Sequence, residues 1–125
     1  MNGIWQIIFG LSLLALSAVP TAASAQQTAQ DQTVSDFLAT CTGNITVQPH
    51  VVVPDCPKYV MIVDALDTKN FCSPMRSSRT NDQAMQIMTS ETQAVVSWLK
   101  SHPETQPMEK TAGISRALET LYPCR

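Results

Sequence analysis

The chain has 125 residues, 8 Lys+Arg against 10 Asp+Glu for a net charge of −2, 44% hydrophobic side chains and four cysteines. That length holds one hydrophobic core and excludes two comfortable domains. So weak an acidic balance excludes an electrostatic grip on nucleic acid or on an anionic membrane.

The first stretch, "MNGIWQIIFGLSLLALSAVPTAASAQQ", carries an apolar run from Ile4 to Val19 and then Ala23-Ser24-Ala25, the small-x-small pattern at which signal peptidase cuts. Residues 1–25 therefore read as a signal peptide. About 16 apolar residues precede Pro20, fewer than the roughly 20 needed to span a bilayer, so no membrane anchor is expected in the mature form. Residues 26–32, "QQTAQDQ", read as a flexible polar leader, and residues 33–125 as the folded domain.

"TVSDFLATC" predicts a short helix: Thr33 caps it, Asp36 completes a capping box, and Val34, Phe37, Leu38 and Cys41 recur at helical spacing. Gly43 is placed to stop it, and the proline-punctuated valines of "TGNITVQPHVVVPD" read as a packed, wandering loop. "DCPKYVMIVDALDTKN" predicts the second helix. Asp55 is placed as its cap and Pro57 in its first turn; Tyr59, Ile62, Val63 and Leu66 form the apolar face, while Asp64 and Asp67 fall on a solvated one.

"FCSPMRSSRT" reads as a loop with an exposed Met75 and two close arginines, Arg76 and Arg79. The longest helix follows in "NDQAMQIMTSETQAVVSWLKSH", with Met85, Met88, Thr92, Val95, Val96 and Leu99 on one stripe and Trp98 at its boundary. "HPETQPM" turns the chain. The last helix lies in "EKTAGISRALETLYP", with Ile114, Ala117, Leu118 and Leu121 facing inward. The expectation is an all-α, four-helix domain.

An exported chain with four cysteines implies two disulfides. Bonding Cys56 to Cys72 would join the start of the second helix to a point beyond its end, about 18 Å of helix away, against a limit near 7 Å between linked Cα atoms. The favoured pairs are Cys41–Cys56, which staples one end of a helical hairpin, and Cys72–Cys124, which ties the central loop to the last turn.

No catalytic constellation emerges, so an enzyme is not expected. "GISRA" lacks the strand context of a nucleophile elbow, His50 and His102 stand alone, and there is no phosphate loop, no metal-ligand spacing and no cofactor motif. His102, just past a helix end, reads as compensating the helix dipole. The Asn44-Ile45-Thr46 sequon matters only in a eukaryotic secretory route.

In order, "FLATC", "CPKYVMIVDAL", "FCSP", "VVSWLKSHPE" and "AGISRALETLYPC" resemble the amidase-immunity proteins of type VI secretion, the Rap/Tai kind, over residues 36–124. The positions carried over are the four cysteines, Trp98, Leu99, His102, Pro103, Ala117, Leu118 and Pro123, all framework residues. The resemblance implies a small helical periplasmic protein, often a homodimer, that binds a secreted peptidoglycan amidase and blocks its groove. No motif specifies the binding residues. The two polar loops flanking the longest helix are the candidates, through Met75, Arg76, Arg79, Glu104 and Gln106, because an inhibitor must present polar, mobile-tipped segments to a cleft. Two other classes fit the same chain: an acid-stress periplasmic chaperone and an accessory component of an envelope secretion or conjugation system.

Overall fold

A computed structural model describes residues 33–125; the expected signal peptide (1–25) and leader (26–32) lie outside the described residues. The first helix, α1 (Val34–Thr40), starts where its sequence says it should. The Thr33 hydroxyl accepts from the Asp36 amide at 3.2 Å, and the Asp36 carboxylate accepts in return from the Thr33 hydroxyl and amide. Its end differs from expectation. Cys41 caps it, the Thr40 and Thr42 hydroxyls bond the Phe37 and Ala39 carbonyls, and Gly43 adopts no positive φ, so the carbonyls at this end are satisfied before the glycine is reached.

The second helix, α2 (Asp55–Leu66), has Pro54 at its N-cap and no side-chain cap. Asp55 is its first residue rather than its cap and pairs with Lys58 at 3.6 Å. The third, α3 (Asn81–Ser101), is capped by the Thr80 hydroxyl on the Gln83 amide, and the fourth, α4 (Lys110–Leu121), by the Glu109 carboxylate, which accepts from the Thr111 and Ala112 amides. Those backbone bonds, that of Thr111 foremost, hold the Glu109 carboxyl below its ordinary pKa.

Both loops that flank α3 are ordered as 3₁₀ turns, Pro74–Ser77 and Pro103–Thr105, each with proline at its start. Among the described residues there is no strand, only one isolated bridge between Thr33 and Glu109. The amides of Val34 and Ser35 donate to the Met108 and Gln106 carbonyls at 3.0 and 3.1 Å, so the turn after α3 also satisfies the free N–H groups opening α1. The domain is thus a small all-α fold of four helices.

Helix α3 runs through the middle, packed on α2 and α4, while α1 closes over α4 and α2. The core combines Val34 and Phe37 from α1, Val60 and Val63 from α2, Phe71 from the following segment, Val95, Val96 and Leu99 from α3, and Ile114, Ala117 and Leu118 from α4. At Gly113 a Cβ would overlap the Val34 side chain, so this glycine sets how closely α1 can approach α4. Half-buried Leu121 and Trp98 pack against the edge of the core.

Two disulfides close the framework, Cys41–Cys56 and Cys72–Cys124, with Cα–Cα distances of 5.1 and 4.9 Å. They are those of a protein that folds in an oxidising compartment. No described helix is long and apolar enough to cross a membrane.

The phase of α2 is the principal correction. Its inward face is Cys56, Val60, Val63 and Asp64, while Ile62 and Leu66 are 46% and 75% exposed. Asp64, expected in solvent, is buried.

Candidate functional site

Asp64 meets a second acid. Glu91 sits on α3 between Met88 and Val95, on the stripe that packs inward, and is fully buried. Burial is the main cause that raises its pKa from 4.5 to about 9, and the adjacent Asp64 carboxylate adds to the rise. Neither Glu91 oxygen meets a hydrogen-bond donor. Protonated, Glu91 supplies the donor itself, with Asp64 beside it to accept. The Ser73 hydroxyl donates to the other side of Asp64, and Tyr122 closes the cluster, its phenol raised by burial and by both carboxyls. Glu91 therefore keeps its proton at neutral pH, inside the core and beside Asp64.

Among the described residues no group of three His, Cys, Asp or Glu could hold a metal.

The open surface lies elsewhere. Thr46, Val47 and Pro49 form one wall of a groove of about 410 Å³ along the first half of α3, and Met85, Gln86, Thr89, Ser90 and Gln93 form its floor and other wall. The wall is pinned where the Thr89 hydroxyl accepts from the Val47 amide at 3.0 Å. A second depression of about 470 Å³ shares Pro49, Asp82 and Met85 and continues past His50 and Met88 toward Asn81. Together they run from Gln93 to Asn81, about 18 Å of helix. The wall turns at His50, the one described non-glycine residue at positive φ, 62°. Just beyond it Val51 and Val52 are 58% and 90% exposed. Methionine floors of this kind adapt to irregular partners.

The five residues expected to meet a partner do not form one patch. Met75, Arg76 and Arg79 precede α3 while Glu104 and Gln106 follow it, and its 21 residues separate the two loops by about 31 Å. Neither loop is a free tip. Arg76 donates to the Thr68 carbonyl, the Arg79 amide donates to Gln83 at 3.0 Å, and Met75 is half-buried. The Gln106 carbonyl is engaged by α1, although the Glu104 and Gln106 side chains are exposed. None of the five lines the groove; its end at Asn81 and Asp82, the first residues of α3, lies next in the chain to the first loop. His102 stacks on Trp98 with ring centroids 3.9 Å apart, and its Nδ1 donates to the Trp98 carbonyl at 2.7 Å, satisfying a last-turn carbonyl of α3.

Sequence reasoning missed both the groove wall and Glu91. The signal for Glu91 was present: it lies three residues after Met88 and four before Val95, a charged residue at a core-facing register. No signal announces the wall, because residues 44–54 carry no period. Comparison with family models, with curated proteins and with solved structures found no match.

Proposed function

We propose that the domain is a periplasmic immunity protein that binds a type VI-secreted peptidoglycan amidase and blocks its active-site groove. The observation that carries this reading is the methionine-floored groove on α3, whose Asn81 end follows Arg79 by two residues in the chain, on a scaffold stapled twice. The ordered motifs from "FLATC" to "LYPC" support it, with Cys41, Cys56, Leu99, Ala117 and Leu118 in the core and Trp98 against it, away from the groove.

The acid-stress chaperone is disfavoured by Glu91. Such a chaperone must loosen in acid, whereas a carboxyl whose folded pKa is raised destabilises the fold at high pH and ceases to do so in acid.

On this proposal a secreted amidase is encoded beside this chain, and the test is inhibition of that enzyme, assayed by peptidoglycan cleavage. Arg79→Glu is the informative variant, since the fold uses only its backbone amide. It should weaken inhibition about tenfold or more without altering the melting temperature, whereas Glu104→Lys, at the far end of α3, should change neither. Absence of any binding to that amidase sinks the proposal.

A further inference from the structure

The two disulfides differ in access. Cys41 and Cys56 are 7% and 1% exposed, while Cys72 and Cys124 are both exposed. Thiol–disulfide exchange needs a thiolate to reach one of the sulfurs, so only the second bond is open to attack in the folded domain.

What that bond ties together gives its opening a consequence. Cys72 is followed by Ser73, which donates to Asp64, and its own amide donates to the Tyr122 carbonyl at 2.8 Å. Tyr122, two residues before Cys124, faces both Asp64 and Glu91. The titratable groups around Glu91 are therefore Asp64 from α2 and Tyr122 from beyond α4, and the two segments that enclose the acid pair are the two that the disulfide joins.

We propose that Cys72–Cys124 is a redox latch that holds Ser73 and Tyr122 over the buried Asp64–Glu91 pair and is opened by a dithiol reductant. One thiolate of the reductant attacks a sulfur of the bond, forming a mixed disulfide and releasing the other cysteine as a thiolate that takes up a proton. The second thiolate of the reductant then displaces the remaining cysteine. The reductant leaves as its own disulfide, and Cys72 and Cys124 hold the two electrons and two protons. Untying the tail admits water to Glu91, which loses its proton to solvent and is then repelled by Asp64. Reduction is thereby coupled to proton release, independently of which partner the groove binds.

The coupling can be read directly. Below the ordinary thiol pKa of about 8.5, exchange between a dithiol and a disulfide conserves protons, so any pH slope in its equilibrium reports another group. The folded protein is equilibrated with dithiothreitol between about pH 6 and about pH 8, quenched by alkylation and mapped by mass spectrometry. Cys72 and Cys124 should be labelled while Cys41 and Cys56 stay paired. The equilibrium constant for opening should rise with pH, by up to about tenfold per pH unit. Glu91→Gln should flatten the slope. The latch is overturned if both bonds open together, if the wild-type equilibrium is flat, or if the variant keeps the slope. The wild-type slope is read without the variant, so a misfolded variant still leaves the test decisive.

Discussion

Replacing Glu91 by Gln should stabilise this domain at neutral pH and slightly destabilise it in acid. The folded carboxyl titrates at about 9 and an ordinary one at 4.5. Below 4.5 both states bind the proton and the residue has no pH-dependent effect. Between 4.5 and 9 the unfolded chain releases the proton and the fold retains it, so stability falls as pH rises through this window. At pH 7 the difference spans about 2.5 pH units at about 1.4 kcal/mol each, or about 3 kcal/mol, a sizeable fraction of the 5–15 kcal/mol that typically separates folded from unfolded. Gln keeps the shape and can donate to Asp64 in the same way. It leaves its second N–H without a partner, which returns about 1 kcal/mol of the gain. A net gain of about 2 kcal/mol at pH 7 and a net loss of about 1 kcal/mol near pH 4, where only the unpaired N–H is felt, is the expected outcome. Urea unfolding of both proteins across that range measures it, and other titrating groups cancel in the difference between them. A wild-type curve and a variant curve that run parallel with pH would refute the assignment of a proton to Glu91.

Gly113→Ala should destabilise by about 1–3 kcal/mol, because the added methyl overlaps the fully buried Val34. Val34→Ala in the same chain should recover part of that loss, which a thermal double-mutant cycle detects. Replacing Cys41 and Cys56 by Ser should cost about 3 kcal/mol, and replacing Cys72 and Cys124 about 4, from closed loops of 15 and 52 residues. Equal or reversed costs in denaturant titrations would mean that native contacts, rather than loop closure, set the difference.

The frame was legible because its signals are local or covalent. Thr33 and Asp36 lie three residues apart and need only each other to start a helix. The length of α2 excluded a Cys56–Cys72 bond, and of the two pairings left, the one that joins Cys41 at the end of the first helix to Cys56 at the start of the second is the one the structure holds. The phase of α2 was not fixed this way. "YVMIVDAL" is apolar almost all round, so Tyr59-Ile62-Val63-Leu66 and Cys56-Val60-Val63 satisfy the same period, and Asp64 pulled the choice toward the face that leaves it in water. Cys56 carried the deciding information, since a half-cystine bonded to the end of α1 has to face α1.

The same register error hid the acid pair, because an acid on a helix is read as solvent-facing unless its partner is known. Asp64 is tolerated inside because Ser73 bonds it and Glu91 keeps a proton. Both conditions are set by residues far along the chain, 9 and 27 positions away. The separation of the two candidate binding loops was hidden for a related reason. Polarity and arginine content located them, but their distance apart depends on the length and straightness of α3, which holds them about 31 Å apart. The open groove and the buried acid pair therefore occupy different parts of α3. Its first half, with Met85 and Thr89, faces the open groove; Glu91 and the residues beyond it hold the core. A substitution at Met85 can alter what the groove accepts without touching the carboxyl cluster. One at Glu91 reaches the whole fold, because α2, α3 and the tail after α4 all meet there.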